Sequence, residues 1–493
     1  MNNSDLIVAT LRKAGIRHGF GIPSGNVLSL IDAMRCGGIE FILTAHEGSA
    51  GFAAEVTGRM TGVPGLCIAT LGPGATNLAT GVGSAFLDRS PMIAITCNLN
   101  SDQLGRRLQM HIDHHALFRP ITKASLPLRP GNIAATLAEA LRIALSEPQG
   151  PVHLDLPEDV ALAEMQEAIP DIPAGARLAP PDAAALDAAY RRIAEARRPI
   201  AIIGADARRM RDPGLLRRFV ERHDIPFAVT TMAKGLIDED HALSLGCIER
   251  ACRQMQRQFL RRADLIIGLG YDTVEVEYEA WIGDVPLLHV GLDPADTNGK
   301  VAIAHQAIGD IDAALADLAA RPSLKPAWHG EELADRRARF NVALRPAVNA
   351  FAPHQAIDAV RAALPADGIL SFDVGAHTHQ IASQWTAHGP RSFLITNGWS
   401  SMGFGLPAAI AVKLAAPDRP SVCILGDGCF QMTCGELAVA KRIGGRGARR
   451  RLAVADPGQA NAAQSHGLRH RPRQRRRRSA AGVLFWRPRC RRA

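Results

Sequence analysis

SVCILGDGCFQM, residues 421–432, is the stretch on which the reading of this chain turns. Val422 to Leu425 form an unbroken apolar run that leads directly into Gly426-Asp427-Gly428, and a helix-like stretch, CGELAVAKRI, follows. A buried parallel strand reads as such a run, and ligands of open α/β sheets bind at the turn on its carboxyl end. Asp427 occupies that turn. The flanking glycines let the backbone approach a bulky anion, and a carboxylate can hold a hard divalent ion that grips phosphate oxygens. A tight turn with a capping Asp is the alternative reading of these residues taken alone.

Working outward, 493 residues with 47% hydrophobic content suggest two to four domains with ample material for their cores. No apolar stretch reaches transmembrane length, and the opening MNNSDLIVATLRKAG lacks the features of a secretory leader, so a cytoplasmic protein is expected. The nine cysteines are scattered without a CxxC pair, as expected of small buried hydrophobes in a reducing compartment. The net charge of +9 is local: the last 48 residues carry 15 Arg and one acid, Asp456, for +14, which leaves −5 on the rest. A terminal Arg run is no basic face of a folded domain, so neither a nucleic-acid nor a membrane partner is expected.

Residues 1–165 alternate helical and strand-like segments. A helix is expected over 5–14 with Ser4 as its N-cap, and strands over 17–22, 41–45, 65–69, 91–97 and 152–156. Two turns at strand ends stand out. Ala45-His46-Glu47-Gly48 opens a helix, where a carboxylate is ordinarily a partner for the helix dipole. Thr70-Leu71-Gly72-Pro73-Gly74-Ala75-Thr76-Asn77 offers exposed backbone donors to a polar ligand, although an ordinary βα turn looks similar. GFGIPSG, residues 19–25, misses the dinucleotide spacing and is discounted. A linker over 168–185 precedes strands at 199–204, 264–270 and 286–293 of a second domain, 186–321. Residues 322–352 read as a polar connection. The third domain, 353–445, has a helix over 354–364, a strand over 368–372, and then Asp373-Val374-Gly375-Ala376-His377. The fold class is α/β, with three doubly wound parallel-sheet domains, the third incomplete.

TAHEGSAGFAAEVTGRMTG (44–62), PGLCIATLGPGATN (64–77), RPITK (119–123), SSMGFGLPA (400–408) and GDGCFQM (426–432) together resemble thiamine-diphosphate enzymes of the acetolactate synthase large-subunit family, in the family's own order. The resemblance implies pyrimidine-binding, central and diphosphate-binding domains, thiamine diphosphate and Mg²⁺ as cofactors, and conversion of two pyruvates to 2-acetolactate and CO₂. It implies that Glu47 hydrogen-bonds the cofactor's pyrimidine N1′ so that its 4′-amino group can act as base. Met402 would wedge the two rings into a V, with the backbone from Ser400 to Met402 holding the aminopyrimidine. Thr70 and Asn77 join these as cofactor-binding residues. His377, Gly426, Asp427 and Gly428 would face the diphosphate, with Asp427 on the metal. Gln109 lies near the family's catalytic Gln, although alignment on Asp113 and RPITK puts Met110 in that column. GYDTVE, residues 270–275, resembles the flavin-free catabolic enzymes, so no FAD is expected. A homodimer or homotetramer is implied, because the family builds each site from two subunits. Another 2-oxo acid decarboxylase, an aldehyde lyase, or a non-catalytic relic pairing with an intact paralogue remain alternatives.

The resemblance stops near Gly445. The family's second metal ligand, an Asn, falls near Val454 in RRRLAVADPGQ, and Asn461 has no strand context. No apolar period capable of adding strands is expected in the Arg-rich tail, 446–493, and a family member continues for about another hundred residues. Codons for VADPGQANAAQ read one base later permit WLIRVKQTRR, similar to relatives' WLSLIKVKQ-type sequence, so a frameshifted third domain is expected. Weak or absent cofactor binding follows.

Overall fold

The apolar runs form the strands of three sheets. The computed structural model describes residues 1–349, 351–444, 452–455 and 483–485, the last two as strand backbone. The chain divides into two compact units: 1–179 with 396–418 and 433–449, and 180–395 with 419–432 and 450–493.

The first unit holds β1 (His18–Gly21), β2 (Glu40–Leu43), β3 (Gly65–Ala69), β4 (Met92–Asn98), β5 (Ala124–Pro127) and β6 (Pro151–Pro157). They form an all-parallel sheet in the order β2-β1-β3-β4-β6-β5. From β1 the chain adds β2 on one side and then β3 on the other, so the order reverses between β1 and β3. Such a reversal opens a crevice at the strands' carboxyl ends. The first helix runs over Asn3–Lys13 and is capped by Asn2 in a capping box with Asp5, not by Ser4. Ser4 is buried in the first turn, its hydroxyl near Ser29 Oγ and Ala161 O, where it serves packing instead.

Helices Glu47–Thr61 and Pro73–Leu87 cross at glycines: a Cβ on Gly81 would lie 2.5 Å from Gly51 Cα. Gly81→Val is therefore expected to push these helices apart and cost about 1–3 kcal/mol, read from the urea midpoint of this unit. Helix Gly405–Ala415 packs on the helix Glu47–Thr61, with Phe404 edge-on to Phe52 at 5.7 Å between centroids.

Beneath it lies a buried cluster. The Ser84 hydroxyl donates to Glu55 at 2.6 Å, and Arg59 reaches Glu55 at 3.2 Å and Asp88 at 3.8 Å. Burial, reinforced by Asp88, pushes the Glu55 carboxyl from 4.5 up to about 8 against the pull of Arg59. Between these values the folded chain holds a proton that the unfolded chain has released, so stability falls as pH rises across the window. The slope is about 1.4 kcal/mol per pH unit. Glu55→Gln, which cannot titrate, is expected to flatten this part of the profile when urea midpoints are compared from pH 5 to pH 8.

The second unit carries two sheets. β7 (Pro199–Ile203), β8 (Phe227–Val229), β9 (Ser244–Cys247), β10 (Leu265–Leu269), β11 (Leu287–Gly291) and β12 (Ile303–Ile308) are parallel in the order β12-β11-β10-β7-β8-β9, reversing between β7 and β10. β13 (Ile369–Phe372), β14 (Phe393–Leu394), β15 (Ser421–Ile424), β16 (Leu452–Ala455) and β17 (Val483–Phe485) follow in the order β14-β13-β15-β16-β17. The reversal here lies between β13 and β15. One apolar core joins both sheets, from Ile203 and Leu269 to Phe372, Trp385 and Ile424.

Two expectations are corrected. The connection 322–352 contains a helix, Gly330–Leu344, whose apolar stripe Leu333, Phe340 and Leu344 is buried. Six of its fifteen side chains are charged, so it read as part of a polar connection. The tail does add strands: Leu452–Ala455 pairs parallel with β15, Ser421 opposite Leu452, because four small and apolar residues suffice for a short strand beside an existing one. β17 pairs antiparallel with β16. Asn461 and the rest of the proposed frameshifted tail lie outside the described residues.

Candidate active site

In the first unit the crevice between β1 and β3 receives the loops that follow each strand. Thr70, just past β3, donates its hydroxyl to Asn26 Oδ1 at 2.8 Å, which ties the two loops together. Asn26 Nδ2 is buried and has no hydrogen-bond partner among the described residues. Asn26 belongs to the loop after GFGIPSG that the dinucleotide spacing led us to discount. Its position after the first strand of the sheet was the available signal.

Thr70 also borders Gly74, where a Cβ would come within 2.7 Å of Thr70 Cγ2 and 3.4 Å of Glu47 Oε1. Gly72 has φ +59°, and a Cβ there would meet the Met110 carbonyl at 2.2 Å. Only glycine fits, so the turn lies bare between Thr70 and Glu47. Glu47 opens its helix, 8% exposed, with His46 as N-cap accepting the Gly48 N–H. The Asn77 side-chain amide donates to Glu47 Oε2 at 3.0 Å, leaving Oε1 on the Gly74 side. The sequence-predicted Glu47, Thr70 and Asn77 are thus brought together around one glycine turn.

Glu436, absent from the sequence reading, braces this arrangement from the helix Glu436–Gly444. Its Oε1 accepts the Ala45 N–H at 2.9 Å, fixing the chain just before Glu47. Burial pushes its carboxyl up, against the Ser49 hydroxyl and the amides of Ala45 and His46, which favour the charged form. Gln109 and Met110 occupy the loop after β4; both are exposed, and Met110 has φ +63°. The segment after Thr396 places Ser400 at φ +49°, its hydroxyl on the Asn397 carbonyl at 2.5 Å, and leaves Met402 40% exposed.

In the second unit the other site residues gather at the reversal between β13 and β15, two paired neighbours. Asp427 is exposed at the head of the helix Asp427–Thr433, which begins sooner after the strand than the sequence suggested; its Oδ1 accepts the Gly428 N–H at 2.8 Å. The His377 ring lies against two glycines: a Cβ on Gly426 would be 3.2 Å from its Cε1, and one on Gly375 would be 3.1 Å away. His377, Gly426, Asp427 and Gly428 therefore share one strand-end crevice.

The central sheet's reversal is closed by the protein itself. A Cβ on Gly204, after β7, would lie 2.4 Å from Tyr271 Cα, after β10. The Glu275 carboxylate sits where an anion would bind, accepting the Ala205 N–H at 3.0 Å, the Thr230 hydroxyl at 2.5 Å and the Met232 N–H at 2.8 Å. Burial pushes its carboxyl up to about 8 against these donors.

Three family models match the chain: the N-terminal TPP binding domain of thiamine pyrophosphate enzymes over residues 1–117, the central domain over 186–318, and the C-terminal TPP binding domain over 373–446. Acetolactate synthase isozyme 1 large subunit of Escherichia coli is 34% identical over 452 residues, covering 89% of this chain and 79% of the relative. The acetolactate synthase large subunit of Corynebacterium glutamicum is 33% identical over 457 residues, covering 89% and 73%. A probable 2-ketoarginine decarboxylase of Pseudomonas aeruginosa is 34% identical over 448 residues, covering 88% and 78%. No helix among the described residues is long and apolar enough to cross a membrane. With two strand-end crevices and these matches along the chain, the protein belongs to the thiamine-diphosphate-dependent enzymes of the acetolactate synthase large-subunit family.

Proposed function

We propose that the chain decarboxylates and ligates 2-oxo acids, two pyruvates giving 2-acetolactate and CO₂, its first unit supplying the aminopyrimidine residues and its second the diphosphate residues, the latter short of one metal ligand. The observation that carries this reading is the Glu47 carboxylate, buried at a helix start, with one oxygen held by Asn77 and the other turned toward bare Gly74.

These residues fit thiamine diphosphate. The glycine turn leaves room for a flat ring beside the carboxylate, and Asn26 Nδ2, unpartnered among the described residues, is a donor for a polar atom of the ligand. When bound, the cofactor supplies a nucleophilic carbon for the substrate's keto group. Glu47 holds a proton at the pyrimidine N1′, Asn77 fixes the orientation of that carboxylate, and Glu436 sets the loop before it. The backbone of 400–402 would hold the aminopyrimidine, and the Met402 thioether would pack against the cofactor's two rings. His377, Gly426 and Gly428 line the diphosphate end.

Asp427 is the Mg²⁺ ligand in this reading. Mg²⁺ requires six oxygens in near-octahedral array, and the sequence RRRLAVADPGQ has no Asn near Val454, where the resemblance puts the second metal ligand. Affinity for the cofactor is accordingly weak and turnover low. Glu275 and the close approach of Gly204 to Tyr271 fill the crevice of the central sheet, which supports a flavin-free enzyme. A cytoplasmic homodimer with domains over 1–165, 186–321 and 353–445 completes the proposal.

Calorimetric titration with thiamine diphosphate and Mg²⁺, beside an acetolactate assay on pyruvate, tests it. Weak binding with slow product formation is expected; absence of any binding removes the cofactor reading, and tight binding with rapid turnover removes the weakened metal end. The 2-ketoarginine decarboxylase, as similar as the synthases, favours a second reading in which a larger 2-oxo acid is decarboxylated without ligation. A panel of 2-oxo acids separates the two.

A further inference from the structure

We propose that Asp88 is a positioning residue that, within the first unit, latches the 397–402 loop to the end of the helix Pro73–Leu87, and so sets the backbone and thioether that would face the aminopyrimidine; the second half of this statement rests on the function proposed above. Asp88 ends the helix Pro73–Leu87 as its C-cap and is 4% exposed. Its Oδ1 accepts the Gly398 N–H at 2.8 Å and its Oδ2 the Asn397 N–H at 3.1 Å, across more than three hundred residues of sequence. A carboxylate with a backbone N–H on each oxygen fixes both the distance and the orientation of the peptide it holds.

Two further contacts act on the same segment. The Thr396 hydroxyl meets Ser84 Oγ at 2.9 Å, and the Trp399 indole covers Gly83, where a Cβ would come within 2.7 Å of the ring. Ser84 and Gly83 lie on the helix that Asp88 terminates, so one helix end grips the loop three times. Beyond these grips Ser400 adopts φ +49°, a conformation that a non-glycine residue keeps only where its surroundings over-determine it. Asp88 supplies that determination two residues upstream, and Met402 follows two residues downstream.

The charge balance behind the latch supports the assignment. Arg59 lies behind the latch, 3.2 Å from Glu55 and 3.8 Å from Asp88, so a buried cation faces the same carboxylate that holds the loop.

Hydrogen exchange and cofactor titration on the full chain test the proposal. In the wild type the Asn397 and Gly398 amides should exchange as slowly as those of the helix Pro73–Leu87. Asp88→Asn can accept from one of these amides but turns an NH₂ toward the other. It should speed exchange over 396–402 at least tenfold while the helix Glu47–Thr61 is unchanged, and raise the thiamine diphosphate concentration for half-saturation more than it lowers kcat. Exchange of Asn397 and Gly398 at surface-loop rates in the wild type overturns the latch without any variant. Unchanged exchange and half-saturation in Asp88→Asn overturn it as well. A protected loop in a wild type that ignores the cofactor keeps the latch, overturns its proposed role toward the aminopyrimidine, and counts against the proposed function.

Discussion

Glu47→Gln is expected to lower cofactor-dependent product formation by about 10²–10⁴-fold while leaving the fold almost untouched. Gln offers an oxygen of the same reach to the Asn77 amide, which now donates to Glu47 Oε2 at 3.0 Å, so the local packing survives. What is lost is the negative charge that favours a proton at the ring nitrogen. The same charge also interacts with the positive end of the helix Glu47–Thr61, a contribution of about 0.3–1 kcal/mol. These two roles separate cleanly. A variant that loses that small stability and retains its rate marks Glu47 as a helix-dipole partner only. Deuterium exchange at the cofactor's thiazolium carbon, measured without substrate, reads the effect even where overall turnover is slow.

Lys234→Met should produce the largest loss of stability, about 3–5 kcal/mol, seen as a lower urea midpoint for the transition that unfolds the second unit. The Lys234 and Glu239 side chains are only 1% and 6% exposed, with the nitrogen 2.7 and 2.8 Å from the two oxygens. Glu239 also accepts the Ala387 N–H at 2.7 Å, and Lys234 lies 5.2 Å from the centre of the Phe393 ring. Burial pushes the Glu239 carboxyl up, and Lys234 is the main influence holding it down. Removing the cation strands an acid in a site that no longer compensates it. Replacing both partners, Lys234→Met with Glu239→Leu, should recover much of the loss, because two apolar side chains leave no uncompensated charge. A single variant as stable as the wild type would show that the pair contributes nothing net.

The uninterrupted apolar runs were legible because a doubly covered parallel strand needs little else. Gly65–Ala69 was read to the residue, and Pro199–Ile203 and Leu265–Leu269 to within one residue at each end. Strands Phe227–Val229 and Ile303–Ile308 were missed: the first is too short for any period, and the second is half exposed at a sheet edge, so its composition is mixed. Helix Gly330–Leu344 hid behind its charge for a similar reason, since one narrow buried stripe anchors it. Glu47, Thr70, Asp427 and His377 could be singled out because each follows a readable strand next to glycines, and that local grammar lies within a dozen residues.

By itself the sequence determined the α/β class, the strand-end turns where polar residues collect, and the kinship with thiamine-diphosphate enzymes, all of which are properties of short contiguous segments. Only the tertiary structure decided which strands are neighbours, and hence that Asn26 meets Thr70, that Glu436 braces Ala45, that Asp88 grips Gly398, and that Glu275 fills the central crevice. The physical reason is that a hydrogen bond between residues tens or hundreds of positions apart leaves no periodic trace in either segment. Its partner is chosen by the order in which strands pair and by which buried donors would otherwise go unmet.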